Sequence, residues 1–140
     1  MAFDGFFIFH LVKELNAELK NYRLEKVLQI ETDAFLFSFY YQKQRKQCII
    51  RMDAHLFGCY LTDQSYGAMV SSQFLIMLKR LEGAILTEIT QYSTDRVMLF
   101  TFQVNDWIEG KKEFTLVFEA MGKHSNLILI QNGLIIDAFK

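Results

Sequence analysis

A cluster of polar and charged residues separates two apolar, strand-like runs, 114–118 and 127–131, near the end of the chain. It contains a carboxylate, a glycine, an ammonium, an imidazole, a hydroxyl and an amide, in the order Glu119-Ala120-Met121-Gly122-Lys123-His124-Ser125-Asn126. These side chains are not all core residues, and Gly122 permits a turn or a close approach that a Cβ forbids. The stretch matches no catalytic spacing. It is either a ligand-binding segment or a bulged strand crossover in which Ser and Asn cap backbone groups.

A second candidate is the pair Asp95-Arg96, which follows the polar stretch 91–94 at a predicted turn into a strand. Neighbouring side chains on one strand point to opposite faces, so this acid and this guanidinium cannot both point inward. One interpretation is a capping Asp beside a surface Arg. The other is an Arg that contacts phosphate or the end of a nucleic acid, with the Asp aligning it.

The densest positive charge lies in the predicted loop 42–47, which contains Lys43, Arg45 and Lys46. Such a run is either a solvated hairpin tip or a set of phosphate contacts. Lys79 and Arg80 fall in the last turn of a predicted helix, where cations suit the helix dipole without a partner. The formal net charge of −1 argues against a general polyanion binder, so contact with RNA requires a local patch.

Metal and enzyme chemistry find little support in the sequence. His10, His55 and His124 show no close pairing of metal ligands. Cys48 and Cys59 are too few for a disulfide framework or a metal cluster, and we expect buried thiols in a reducing compartment. A nucleophile elbow, a phosphate-binding glycine loop and a zinc spacing are all missing. We therefore expect no metal, no cofactor and no enzyme activity.

The start of the chain superficially resembles a signal peptide, because residues 6–9 are apolar. However, Asp4 precedes this run, no basic residue comes first, and Lys13 and Glu14 soon interrupt it. The longest apolar stretches fall far short of the roughly 18 residues that a membrane-spanning helix needs. We expect a cytoplasmic protein without a membrane partner.

Periodicity predicts two main helices. Asp4 is a suitable N-cap for a first helix from about Gly5 to Lys20, in which His10 lies one turn before Glu14 and forms a solvated pair. Ser71 or Ser72 caps a second helix over 73–81, and Gly83 ends it.

Between and after these helices, the apolar patterns predict about nine strands. The first, from Arg23, shows strict alternation of Leu24, Lys26, Leu28 and Ile30 with their neighbours. The others are predicted at 35–41, 48–52, 58–61, 85–91, 97–104, 113–118, 127–131 and 134–139, the last two joined by a tight Asn-Gly hairpin. The fold class is α+β: an antiparallel β-sandwich or flattened barrel with two main helices, in a single domain over residues 1–140.

Three motifs, in order, resemble the N-terminal domain of the NFACT family, the group of RqcH, NEMF and fibronectin-binding protein A. The stretch 119–126 fits the form Glu-x-Met-Gly-(Arg or Lys)-His-Ser-Asn. The opening Met1-Ala2-Phe3-Asp4-Gly5-Phe6-Phe7 and the pair Asp95-Arg96 resemble two further family motifs. The resemblance also implies a fold distantly similar to the N-terminal domain of formamidopyrimidine-DNA glycosylases.

The resemblance implies a set of tRNA-binding residues, which are Asp4, Asp95, Arg96, Glu119, Met121, Gly122, Lys123, His124, Ser125 and Asn126. The basic residues Lys43, Arg45, Lys46, Lys79 and Arg80 are expected to add phosphate contacts. The implied function is a tRNA- and ribosome-binding module of ribosome-associated quality control. Its partners would be alanyl-tRNA and a large ribosomal subunit carrying peptidyl-tRNA, and its role would be to support C-terminal alanine tailing of stalled chains. The alternatives are an adhesin domain for fibronectin or fibrinogen and a degenerate protein-interaction module.

The chain departs from the family pattern at three places. Leu78 takes the position of an Arg on the second helix, and Leu56 follows Ala-His where the family has Pro. The approach to the second helix, 66–73, contains no proline. Family members continue into helical, coiled-coil and RNA-binding regions, so we expect this chain to be either the N-terminal part of a longer protein or a truncated, divergent relative.

Overall fold

The computed structural model describes residues 4–140, and Met1, Ala2 and Phe3 of the opening motif lie outside the described residues. The chain forms two α-helices, α1 (Gly5–Leu19) and α2 (Gln73–Leu78), and a 3₁₀ turn, Lys79–Leu81, continues α2. The strands are β1 (Arg23–Glu31), β2 (Ala34–Tyr41), β3 (Gln44–Arg51), β4 (Gly58–Thr62), β5 (Ile85–Gln91), β6 (Val97–Asp106), β7 (Gly110–Glu119), β8 (Asn126–Gln131) and β9 (Leu134–Ala138).

The nine strands form one antiparallel sheet in the order β4-β3-β2-β1-β5-β6-β7-β8-β9. It consists of two meanders, β1 to β4 and β5 to β9, joined where β1 meets β5. The register there contains a single pair, Arg23 opposite Ile85. Backbone bonds beside it, such as Leu24 N–H to the Ala84 carbonyl at 2.8 Å, extend this narrow junction.

The sheet folds over so that its two halves share one core. Phe39 of β2 stacks on Phe102 of β6 with ring centroids 6.4 Å apart and an interplanar angle of 8°. Phe35 of β2 also meets Phe139, just after β9, at 5.8 Å. Since β2 is not a neighbour of β6 or β9 in the sheet, these contacts require the sheet to curl on itself. The α+β class with a nine-stranded antiparallel sheet and two helices is thus confirmed.

Helix α1 packs on the second meander and begins where the sequence predicts. The Asp4 carboxylate accepts a hydrogen bond from Phe7 N–H at 2.8 Å, which confirms Asp4 as the N-cap. Ile8, Leu11 and Leu15 lie in the core on the helix face that points toward β5 and β6. None of the helices in the described chain has the length and apolar character that crossing a bilayer requires.

Strand β1 does not keep the strict alternation that the sequence predicts. The register shifts between Leu24 and Lys26, and again between Gln29 and Glu31. The first bulge turns Val27 inward, where it is fully buried, and leaves Lys26 exposed. A bulge inserts one residue, which changes the face of every side chain after it.

A second, smaller core on the other face of β1–β3 anchors the segment before α2. It contains Ile30, Leu36 and Ile49, with Tyr66 packed against it. The buried Gln29 amide donates to the Thr32 carbonyl at 3.0 Å and accepts from the Ser72 hydroxyl at 2.6 Å. Ser72 in turn caps α2, so a glutamine holds the approach to this helix in place without a proline.

The predicted loop 42–47 was too long. Strand β3 already begins at Gln44, and only Gln42 and Lys43 form the turn, with φ values of 46° and 66°. Two consecutive positive φ angles are typical of a type I′ hairpin, which usually contains Asn-Gly. Gln-Lys lacks that signal, so the two-residue turn could not be recognised in the sequence. Arg45 and Lys46 therefore lie in strand β3 and not in a loop.

Candidate nucleic-acid interface

The structure brings the two central motifs together at one end of the sheet. Glu119, the last residue of β7, lies opposite Val97, the first residue of β6. The residue after Glu119 and the residue before Val97 are also joined, because Ala120 N–H donates to the Arg96 carbonyl at 2.9 Å. The turn at Asp95-Arg96 therefore lies directly beside the start of the stretch 119–126.

The beginning of α1 completes the same region. The Gln91 side-chain amide donates to the Gly5 carbonyl at 2.8 Å and to the Asp95 carbonyl at 2.9 Å, and so ties the helix to the turn. A Cβ built on Gly5 would lie 2.1 Å from the Thr94 carbonyl oxygen. This close approach is the physical reason for a glycine after Asp4. The described part of the opening motif thus adjoins the other two motifs.

The stretch 119–126 is a hairpin connection, and the predicted crossover is wrong, because β7 and β8 are antiparallel neighbours. Its loop contains a 3₁₀ turn over Gly122–His124, with Gly122 at a φ of 59°. The fully buried Ser125 hydroxyl accepts a hydrogen bond from Met121 N–H at 2.9 Å. Ser125 caps the backbone, as one interpretation of the sequence expected, and so shapes the loop from inside.

Asn126 holds the last described residue against this loop. Its side-chain oxygen accepts hydrogen bonds from Leu127 N–H and Lys140 N–H, both at 2.9 Å. The Lys140 ammonium then donates to the Lys123 carbonyl at 2.6 Å. Neither Gln91 nor Lys140 was singled out from the sequence, since only the fold brings them to the motifs.

The loop and the turn leave several charged groups available to a ligand. Arg96, Lys123 and His124 are exposed, and their side chains make no hydrogen bond or ion pair within residues 4–140. Asp95 is also exposed, whereas Glu119 is half-buried. The surface therefore offers two unpaired cations and an imidazole beside carboxylates, which suits a few specific contacts with an anionic ligand better than non-specific attraction of polyanions.

Arg45 and Lys46 lie elsewhere and already have partners. Arg45 pairs with Glu25 at 3.1 Å. Lys46 forms an ion pair with Glu18, and this hydrogen bond is the main cause of the raised pKa of Lys46. Glu18 lies near the C-terminal end of α1, roughly 20 Å from Asp4 for a helix of this length. Lys43 is exposed in the turn beside them.

Lys79 and Arg80 also lie apart from the motifs. The Lys79 ammonium donates to the Val27 carbonyl at 3.1 Å and contacts Glu82 at 3.3 Å. Arg80 lines the same pocket as Val104 of β6. Val104 lies about 20 Å along that strand from its first residue, at the spacing of an extended chain. The five auxiliary cations thus form two patches outside the motif region, and their contacts with phosphate stay a prediction.

Leu78 and Leu56, the two leucines that differ from the family pattern, lie in different environments. Leu78 is fully buried in the main core, so this chain presents no side-chain cation at that position. Leu56, in contrast, is 66% exposed in the segment before β4.

The two cysteines are free, buried thiols, as predicted, with their sulfur atoms 3.4 Å apart. The hydrogen bond between Cys48 and Cys59, together with burial, raises the pKa of the Cys59 thiol well above its ordinary value. Among residues 4–140, no group of three His, Cys, Asp or Glu side chains is placed to hold a metal ion. The expectation of no metal and no cofactor stays a prediction.

Ser125→Ala is expected to lower the free energy of unfolding by about 1–2 kcal/mol, because Met121 N–H would lose its acceptor in a buried site. Thermal or urea unfolding measures this change. Ser71→Ala is the matched control, since Ser71 is exposed and its hydroxyl makes no hydrogen bond within the described chain. Equal stability of the two variants would contradict a structural role for Ser125.

Comparison with known proteins places these motifs in a family. The sequence is 33% identical over 144 residues to the Rqc2 homolog RqcH of Streptococcus suis, covering 100% of this chain and 26% of that protein. It is 34% identical over 137 residues to the RqcH of Streptococcus pneumoniae, covering 95% of this chain and 24% of that protein. The chain thus spans about a quarter of the length of these relatives.

Solved structures show the same fold. The N-terminal part of the fibronectin/fibrinogen-binding protein of Streptococcus suis superposes with a TM-score of 0.93 at 32% identity, over 99% of this chain and 54% of that one. The N-terminal domain of the fibronectin-binding protein PavA of Streptococcus pneumoniae gives a TM-score of 0.91 at 29% identity, again over 99% and 54%. The match to the NFACT N-terminal and middle domains covers residues 4–140, and the chain therefore belongs to the NFACT family.

Proposed function

We propose that this domain binds tRNA through the surface where the three motifs meet, as part of ribosome-associated quality control. The observation that carries the proposal is the convergence of Gly5, the Asp95-Arg96 turn and the 119–126 loop, joined by hydrogen bonds from Gln91 and Ala120. Side chains that are far apart in sequence gather there, and Arg96 and Lys123 lack partners within the described chain. RqcH relatives support the ribosomal setting.

The chemistry at this surface suits an RNA backbone. The planar guanidinium of Arg96 can donate two parallel hydrogen bonds to a phosphate, and the neighbouring Asp95 carboxylate would align it once the phosphate is bound. Lys123 supplies a second, more mobile point charge. With a formal net charge of −1, the domain as a whole gains little from non-specific attraction, so these local contacts decide binding.

For the whole protein, we propose recruitment of alanyl-tRNA to a large ribosomal subunit with peptidyl-tRNA, which supports C-terminal alanine tailing of stalled chains. This domain acts as a binding module and not as an enzyme, without a cofactor, in the cytoplasm. It contributes the tRNA contacts, as one domain of a longer family architecture. A distant likeness to the N-terminal domain of formamidopyrimidine-DNA glycosylases also stays a prediction.

Arg96→Ala tests this proposal. Loss of a hydrogen bond to a charged group should weaken binding of tRNA by about 1.5–3 kcal/mol, or roughly 10- to 150-fold. Arg96→Lys should also weaken binding, because it keeps the charge but loses the planar fork. Fluorescence anisotropy with labelled bulk tRNA at fixed salt measures the affinity of the purified chain.

The control for this experiment is Lys20→Ala, which removes one exposed cation near the end of α1, far from the motifs. Both substitutions lower the net charge equally, so a general electrostatic effect would appear in both. Arg96 is exposed, and a thermal melt of Arg96→Ala should match that of the unmodified chain. Unchanged tRNA affinity in a folded Arg96→Ala variant would refute the assignment of Arg96.

A second candidate function is binding of fibronectin or fibrinogen, favoured by the names of the two structural neighbours. Surface plasmon resonance with immobilised fibronectin and fibrinogen separates the candidates. Under the tRNA proposal, neither protein should bind at micromolar concentrations of the chain. Saturable binding of either protein, without tRNA binding, would favour the adhesin. A chain that binds neither class would fit a degenerate protein-interaction module.

A further inference from the structure

A cleft of about 450 Å³ lies between α1 and β5, next to the motif surface. Its size is within the range of small-molecule pockets in proteins. Phe9 and Lys13 of α1 form one side, and Thr90, Gln91 and Ser93 form the other. None of the residues that line the cleft in the described structure is acidic, and Lys13 carries its positive charge.

Phe9 gives this cleft an aromatic wall that is not covered by the fold. Its side chain is 54% exposed, and its neighbour Phe6 is 74% exposed. The His10 ring lies nearly perpendicular to both, with centroid distances of 4.7 Å to Phe6 and 5.3 Å to Phe9. The expected pair of His10 with Glu14 does not form, since no hydrogen bond or ion pair joins the two residues in the described chain. A T-shaped contact covers at most one face of a ring, and since Phe9 is 54% exposed, part of its ring surface stays available for stacking.

The polar groups of the cleft divide into fixed and available ones. The Asn16 side-chain amide is already bonded, since it exchanges two hydrogen bonds with the Ile89 backbone at 2.5 and 2.8 Å and so joins α1 to β5. The hydroxyls of Thr90 and Ser93 and the ammonium of Lys13 have no partner within residues 4–140. The cleft therefore combines an aromatic surface, two hydroxyls and a cation.

We propose that this cleft holds one unpaired nucleotide of a bound RNA, with the base against Phe9 and the phosphate near Lys13. This inference rests on the proposed function and adds a subsite to it. Aromatic stacking with hydrogen bonds to the base edge is how proteins read single-stranded RNA, because bases in a duplex are already stacked. The absence of a lining carboxylate favours an anionic ligand over a basic peptide.

The position of the cleft fits one continuous RNA path. Gln91 lines the cleft and also donates hydrogen bonds to Gly5 and Asp95 at the motif surface. Ser93 lies three residues before Arg96, at most about 10 Å along an extended chain. A strand that contacts Arg96 through its backbone can thus place a neighbouring unpaired base in the cleft.

The test measures anisotropy with a labelled ten-nucleotide RNA of mixed sequence, single-stranded or annealed to its complement. Phe9→Ala should weaken binding of the single strand by roughly 5- to 100-fold and leave duplex binding unchanged. Lys13→Gln should reduce the slope of log affinity against log salt by about 0.7. The matched controls are Ile76→Ala, an apolar residue on α2 that is 59% exposed, and Lys20→Gln.

The outcomes separate this inference from the proposed function. If Arg96→Ala weakens tRNA binding but folded Phe9→Ala binds the single strand normally, the cleft proposal is overturned and the tRNA surface stands. If the unmodified chain binds the single strand in a Phe9-dependent way but does not bind tRNA, the proposed function is refuted and the cleft proposal stands. Failure of the unmodified chain to bind the single strand overturns the cleft proposal.

Discussion

Gly5→Ala is expected to destabilise the domain by about 3 kcal/mol, the upper end of the usual cost of overpacking. The new Cβ would lie 2.1 Å from the Thr94 carbonyl oxygen, a backbone atom that cannot rotate away. Either α1 or the turn before β6 must therefore shift. Helix propensity alone predicts the opposite sign, because Ala in a helix is favoured over Gly by up to about 1 kcal/mol. A fall in the free energy of unfolding would therefore indicate the close contact, and a rise would indicate that helix propensity dominates.

Gly67→Ala is the matched control for this experiment. Gly67 is exposed and a Cβ built there meets no atom within 4 Å, so its replacement should leave Tm unchanged or slightly raised. Urea unfolding of both variants gives the free energies. If Gly5→Ala remains folded at low temperature, its tRNA affinity should also fall, since the Asp95-Arg96 turn is displaced. A Tm for Gly5→Ala at or above that of the unmodified chain would contradict the contact.

Local signals in the sequence predicted most of the secondary structure. Asp4 was expected to begin α1, and its carboxylate does cap the helix. Strand β5 has the predicted bounds. Its apolar alternation and its flanking turn residues are short-range signals, which can be recognised from the sequence alone. The Asn132-Gly133 turn also formed, with φ values of 50° and 85°, because these two residues tolerate positive φ angles.

The features that depend on distant contacts could not be predicted in this way. The bulge before Lys26 and the Gln42-Lys43 turn carry no strong local signal. The bulge leaves Lys26 exposed, and the short turn places Arg45 and Lys46 in a strand. The pairing of Lys46 with Glu18 joins a strand to a helix. Such pairs depend on how the chain folds back, which composition and periodicity do not encode.

The candidate site shows the same limit. Spacing alone left both motifs ambiguous between capping and ligand binding, and the resemblance to a family supplied the functional interpretation. In the structure, Ser125 and Asn126 cap backbone groups, while Arg96 and Lys123 remain exposed. The capping interpretation thus holds for Ser125 and Asn126, and ligand binding by Arg96 and Lys123 stays a prediction. Buried polar groups hold the loop in shape because each needs a hydrogen-bond partner inside the fold, whereas exposed groups do not.

Phe102→Ala is expected to have the largest effect on stability, a loss of about 3–5 kcal/mol. Phe102 is 1% exposed and stacks on Phe39 across the two halves of the sheet. Domains of this kind are stable by only about 5–15 kcal/mol, so the variant should unfold at much lower urea concentration. Ile108→Ala is the control in the same hairpin region, since Ile108 is 80% exposed and should change stability by at most about 0.5 kcal/mol.

A double-mutant cycle tests the closure of the sheet itself. Phe39→Leu and Phe102→Leu each keep an apolar side chain but remove the stacked ring. If the two halves face each other, the double variant should lose less stability than the sum of the single losses, by about 0.5–1.5 kcal/mol. Strict additivity of the two changes would mean that β2 and β6 do not meet. The curled sheet would then be wrong, even if every strand had its correct bounds.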